Sequence, residues 1–241
     1  VIKSPRECKS IMVKMEDLKY NIFMCHKPRK ELKNTNALKY IEWGEKQKTM
    51  NNVRWCNVPS VSGRKLWYDL GAQKRYSYLW SRVHNNSHRI FECYIYSADT
   101  FSVLYPKYDF NVTGAILNST LLWFMKEIYG RKTLGEGGLG SLGIDLINIY
   151  TVEPTRISKQ INKFFGKMKI REIADVFQEL GFDPTKPIRE QQPNPLLDRK
   201  ALDDVVFNVL GLTEEERKEV YWATAELVKN RLDKARSVKK K

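Results

Sequence analysis

The sequence predicts an α/β (α+β) fold, with a mixed-strand domain over residues 1–155 followed by a helical region over 156–241. Three observations predict it. Short β-prone runs bounded by turn residues fill much of the first part. Apolar residues recur at helical spacing in the tail. A linker at 186–197, holding Pro187, Pro193 and Pro195, punctuates that tail. With 42% hydrophobic and 12% aromatic residues, the 241-residue chain can bury the core of one large domain, or of a medium and a small one.

Taken in order, residues 10–15 and 20–25 are strand-like, as are 89–96 and 100–105, which flank a Ser97-Ala98-Asp99 turn. A helix is expected over 114–129. Thr113 can cap it, Leu117, Leu121, Phe124 and Ile128 form its apolar stripe, and Gly130 can end it. A glycine-rich loop at 134–143 leads to an expected strand at 144–152. In the tail, Ile170, Ile173, Ala174, Phe177 and Leu180 keep helical spacing, with Gly181 and Pro184 as stop signals. Asp198 is placed to cap a helix that stops near Gly211. Thr213 with Glu216 forms a capping box for a last helix, whose Tyr221, Ala225, Val228, Leu232 and Ala235 share a face. The closing lysines, Lys239 to Lys241, are expected to fray.

Charge is unevenly spread. Residues 1–89 hold 19 Lys and Arg against 7 Asp and Glu, whereas residues 90–155 hold 4 against 7. Basic charge concentrated in one third of a chain suits a polyanion, because each neutralised phosphate releases counterions. A solvated face, or one turned to a partner domain, carries the same signature. Cys8, Cys25, Cys56 and Cys93 show no paired Cys-x-x-Cys spacing, and the three histidines, His26, His84 and His88, complete no four-ligand metal set. Reduced cysteines in a cytoplasmic protein are the expectation. No apolar run approaches the roughly 20 residues that span a bilayer, so no membrane partner is expected. The start at Val1-Ile2-Lys3-Ser4-Pro5 reads as a cut rather than a natural terminus.

Catalytic and cofactor-binding motifs are incomplete in this sequence. Gly135, Gly137 and Gly140 match a G-x-G-x-x-G pattern, but that loop holds phosphate only between a strand and the start of a helix, and here a helix precedes it and a strand is expected after it. Adenine-N6 methylation needs a tetrapeptide of the Asn-Pro-Pro-aromatic type to hold a flipped base. Asn194-Pro195-Leu196-Leu197 lacks both the second proline and the ring. The positive signal is a basic, aromatic segment at 64–89. Arg64, Lys65, Lys74, Arg75, Arg82 and Arg89 alternate there with Trp67, Tyr68, Tyr76, Tyr78 and Trp80. Arginine and lysine bind phosphate or read guanine, while His84, Asn85, Asn86 and His88 can meet base edges. Core aromatics with solvated charges are the simpler alternative, and for most of the rings the better one.

Several stretches combine into a resemblance. Ala37-Leu38-Lys39-Tyr40-Ile41-Glu42-Trp43-Gly44-Glu45 is followed by Arg64-Lys65-Leu66-Trp67-Tyr68-Asp69-Leu70-Gly71 and by Ala98-Asp99-Thr100-Phe101 with Tyr105-Pro106-Lys107. Ala115-Ile116-Leu117-Asn118-Ser119-Thr120, the glycine loop, Leu202-Asp203-Asp204 and the run from Leu210 to Arg217 complete the series. In this order they resemble the C-terminal specificity region of adenine-N6 DNA methyltransferases of restriction–modification systems. The resemblance implies a target-recognition domain that lies on double-stranded DNA, with an N-terminal methyltransferase domain of the same polypeptide binding S-adenosylmethionine and carrying the catalytic residues. The module from Leu117 onward is also similar to specificity subunits of type I restriction enzymes, although Tyr150-Thr151-Val152-Glu153-Pro154 keeps only the last proline of their strand-end signal. A non-catalytic specificity subunit is therefore the alternative, and a fused nuclease the third reading.

Overall fold

The computed structural model describes residues 1–72, 77–132, 137–141 and 143–239. Lys74, Arg75, Tyr76, Gly135 and the last two lysines lie outside the described residues. By packing, the chain falls into two compact units, residues 20–74 and residues 1–19 with 75–241.

In the smaller unit, Thr35 accepts a hydrogen bond from the Leu38 amide and so caps α1, Asn36–Lys46; α2 is a single turn, Pro59–Ser62. Leu32, Ile41 and Tyr68 are its buried apolar residues, with Phe23, Leu66 and Trp67 packed on them. Residues 20–25 lie outside any strand.

The larger unit is built on an antiparallel sheet. Its strands are β1 (Ser77–Ser81), β3 (Ile90–Cys93) and β4 (Phe101–Leu104), in the order β3-β1-β4, with β2 (Val83–His84) between β1 and β3 in the chain. The expected strand pair on either side of residues 97–99 is thus present as two strands, but both pair with β1 rather than with each other. Every residue of β1 is buried, because both faces of the sheet are covered. Side chains alternate along a strand, and so Tyr78 and Trp80 enter the helical core while Leu79 joins Ile2, Cys8, Val13, Phe91 and Phe101 on the opposite face. Residues 10–15 form no strand. They make single bridges, Met12 with Glu92 of β3 and Ser10 with Glu172 of the tail.

The helix expected at 114–129 is two helices, α3 (Phe110–Leu117) capped by Asp109 and α4 (Thr120–Tyr129) capped by Ser119 rather than Thr113. Asn118 makes the break. Its side chain accepts from Ile90 N and donates to Ile90 O and Gly114 O, each at 3.0 Å. Gly114 lies so close to the phenol of Tyr78 that no side chain fits there. The apolar stripe of α4 is also not the predicted one: Trp123, Lys126 and Glu127 are fully buried and Ile128 is exposed.

After β5 (Leu139–Gly140), which pairs with β2, the expected strand at 144–152 is replaced by a short helix, α5 (Gly143–Ile147). Leu146, Ile149 and Val152, each three apart, are the residues that meet the core, a helical and not an alternating spacing. The tail holds α6 (Ile161–Met168), α7 (Val176–Leu180), α8 (Leu197–Leu210) and α9 (Glu214–Lys239). Ile170, Ile173 and Ala174 fall between α6 and α7. Gly181 and Gly211 end α7 and α8 in the left-handed conformation, as their positions predict. Asp198 lies in the first turn of α8 instead of capping it. The capping box is formed, with Glu216 N donating to Thr213 Oγ1 at 3.3 Å and Thr213 N to Glu216 Oε2 at 2.8 Å. The helices of residues 156–241 share one apolar core with Tyr78, Trp80, Ile90 and the α3–α4 pair, so that core runs unbroken across residue 155.

Candidate functional site

A cleft of about 860 Å³ opens in the larger unit where β1 gives way to β2 and the turn that follows it. Its lining includes Arg6, Arg82, Asn85, Asn86, Asp99 and Thr100. The run from Ser81 to Arg89 enters because β2 is only two residues long and pairs with β5, which forces the chain to turn at once towards β3. Arg6, Arg82 and Asn85 are exposed, and neither arginine makes an ion pair with any described residue.

Beneath the turn lies a buried polar cluster. Arg231 of α9 donates to Glu127 Oε1 at 2.6 Å, to Glu127 Oε2 at 3.1 Å and to the carbonyl of Asn85 at 2.7 Å; it also bonds the carbonyl of Gly137. His88 Nε2 is 2.9 Å from Glu127 Oε1. Lys126 donates to the His88 carbonyl at 3.1 Å, lies 3.4 Å from His84 Nδ1, and sits 4.6 Å from the centre of the Trp80 ring. The rim therefore rests on an internal scaffold that fixes the backbone on either side of Asn86. A buried charge is tolerated only when paired and hydrogen-bonded, and Glu127 meets that condition through two partners.

A second buried network joins α4, α7 and α8. Glu179 accepts from Arg171 at 2.7 and 2.9 Å and from Arg199 at 2.8 Å, and the Arg199 guanidinium lies 3.8 Å from the Trp123 ring centre. Thr120 gives both its amide and its hydroxyl to Asp203, at 2.8 and 2.6 Å. The Asn118-Ser119-Thr120 and Leu202-Asp203-Asp204 stretches thus meet.

Burial pulls the His84 imidazole far below its usual range and brings His88 down to about 4. Burial alone would raise Glu127, but His88 and Arg231 outweigh it and hold the carboxyl at about 2; Arg171 and Arg199 do the same for Glu179. Burial raises Asp203 to about 6 against the pull of Arg199 and Thr120. These directions fix a pH dependence. Between the ordinary histidine value of 6.5 and about 4, the unfolded chain takes up protons that His88 refuses, so stability falls as pH falls. Asp203 acts oppositely between 3.8 and about 6. Below 4.5, Glu127 and Glu179 add to the acid loss down to about 2. Urea midpoints are expected to drop from pH 6.5 to 4, and more steeply in Asp203→Asn, where the opposing contribution is gone. A midpoint that holds or rises on acidification would contradict the neutral buried histidines.

Of the residues singled out in the sequence, Arg82, His84, Asn85, Asn86 and Arg89 line this one cleft. Their standing differs. His84 borders it but is buried. Arg89 is held at its base, donating to the carbonyls of Lys9 at 2.9 Å and Ile173 at 3.2 Å. Arg64 and Lys65 belong to the smaller unit, both exposed, with Arg64 donating to the Asp69 carbonyl at 3.1 Å. Arg6 was missed, since nothing in its local sequence sets it apart. The Gly137–Gly140 end of the glycine loop packs on α9 and pairs with β2, and Arg131 and Gly140 exchange both backbone hydrogen bonds. Among the described residues no group of His, Cys, Asp or Glu is placed to hold a metal ion, and no helix is long and apolar enough to cross a membrane. All four cysteines are free. No family model matches the chain, and no curated protein or solved structure is detectably similar to it.

Proposed function

We propose that this chain reads double-stranded DNA as the specificity region of a site-specific adenine-N6 DNA methyltransferase of a restriction–modification system. In this reading the S-adenosylmethionine site and the catalytic residues belong to a methyltransferase domain outside these residues. What supports it is the juxtaposition at the cleft of two arginines that make no ion pair among the described residues, Arg6 and Arg82, with the exposed amide of Asn85; Asn86 lies beside it, its amide nitrogen 3.5 Å from Asp175 Oδ2. Arginine supplies phosphate attraction or a fork for guanine, and asparagine supplies the paired donor and acceptor that suit adenine. A rigid rim favours such readout, because a misplaced amide loses its discrimination.

The test is a titration against a random duplex pool at several salt concentrations, followed by selection of the tightest binders. Binding is expected to weaken steeply with salt, and Arg82→Ala to remove about one phosphate contact from the slope if Arg82 holds phosphate. Asn85→Ala is expected to relax selectivity at one base pair, at a cost of about 1–3 kcal/mol on the preferred sequence. A flat salt response, or equal binding by all variants, would remove the cleft as a DNA surface.

A further inference from the structure

The smaller unit holds a cavity of about 400 Å³ walled by Phe23, Tyr40, Trp55, Trp67 and Tyr68, with Asn21 and Ser60 among its polar lining residues. Its volume falls within the roughly 300–1,000 Å³ of ordinary ligand sites. Trp43, just outside the lining, links the wall rings into a continuous run: Phe23 to Tyr40 at 4.9 Å between centres, Tyr40 stacked on Trp43 at 5.3 Å, and Trp43 edge-on to Trp55 at 5.4 Å. Tyr40 and Trp43 remain 48% and 46% exposed, much more than rings that serve only a core.

The walls are fixed by their polar tips. Trp67 Nε1 donates to Glu45 Oε1 at 3.3 Å, and Glu45 is gripped by Arg29 at 2.6 and 2.7 Å. The Tyr68 hydroxyl donates to the Lys27 carbonyl at 2.9 Å. Gly44 lets α1 approach: a Cβ there would lie 2.8 Å from the Trp67 ring. The cavity is thus preformed, and the Tyr40 and Trp43 rings stay open to solvent.

Charge decides what fits. Residues 20–74 carry eleven Lys and Arg against four Asp and Glu. Three of those acids are already engaged, Glu42 and Glu45 with Arg29 and Asp69 with His26. Lys39, Arg54 and Lys65, close in the chain to Tyr40, Trp55 and Trp67, make no ion pair among the described residues. An aromatic cage attracts a cation through its ring faces, but the surplus basic residues of this unit repel one and attract an anion. We infer that the aromatic cavity of residues 20–74 binds an unpaired nucleobase of a single-stranded nucleic acid, the ring stacking on Tyr40 and its neighbours while the basic residues meet the phosphates. Base–aromatic stacking on a basic surface is tolerant of sequence, because every base has a π-face. The inference concerns a different unit from the duplex-reading cleft and does not depend on it.

The experiment is fluorescence anisotropy of the intact chain with a labelled 15-mer of dT and, separately, a blunt 15-base-pair duplex. Tyr40→Ala and Trp43→Ala are each expected to weaken single-strand binding about tenfold, with Tyr40→Phe near wild type and duplex binding unchanged. Arg82→Ala is expected to do the reverse. Both rings are half-exposed, and circular dichroism establishes that the variants are folded. Single-strand binding unaffected by either alanine would overturn the inference while leaving the duplex reading intact. So would sedimentation showing that the wild type pairs with itself through this face and Tyr40→Ala does not.

Discussion

Replacing Arg231 with Met is expected to destabilise the larger unit by about 3–5 kcal/mol, because it leaves a buried carboxylate without its principal partner. Glu127 is fully buried and Arg231 nearly so, and water cannot take over the lost bonds without opening the structure. The loss is expected as a lower urea midpoint with an unchanged slope. Pairing Arg231→Met with Glu127→Leu removes the stranded charge, and the double variant is expected to be more stable than the single one. Since Arg231 also holds the carbonyls of Asn85 and Gly137, the single variant is expected to lose duplex affinity even below its unfolding range. A cost no larger than that of a surface substitution would show that the cluster does not carry the turn.

Trp123→Ala is expected to cost a comparable amount, about 3–5 kcal/mol. Trp123 is the largest side chain among those fully buried, and its ring is the platform on which the Arg199 guanidinium lies at 3.8 Å. Truncation opens a cavity and takes the aromatic face from a buried cation. Trp123→Phe keeps a ring at that place and is expected to lose clearly less. If both variants unfold at the same urea concentration, the volume of the indole matters and its stacking on Arg199 does not.

These two residues mark what the sequence made legible and what it hid. Local rules found the ends of the tail helices, because Gly181, Gly211 and the Thr213–Glu216 pair act on backbone within a few residues of themselves. They found β3 and β4 through alternation and a turn. They did not find the division of α3 from α4, because Asn118 is held by Ile90, 28 residues earlier in the chain. The same limit hid the buried cluster. Lys126, Glu127 and Arg231 read as a solvated surface in any local pattern, and their partners come from segments 38 to 146 residues away. Of the candidate site, Arg82, Asn85 and Asn86 were legible as basic and amide residues beside aromatics. The burial of His84 and the structural use of Arg89 were not, since both depend on segments remote in the chain.

Asn118 has a consequence beyond breaking a helix. β3 is one of the two edge strands of its sheet, a position whose free amides and carbonyls invite a strand from another molecule. Here the side chain of Asn118 occupies both backbone groups of Ile90, and two residues on, Glu92 gives its amide to Ile11 and takes one from Val13. A single carboxamide stands in for one residue of a missing neighbour strand, and the N-terminal segment stands in for the next. At this edge the protein is closed to the chain-to-chain pairing from which fibrils grow, without a lysine or proline placed on the strand to prevent it.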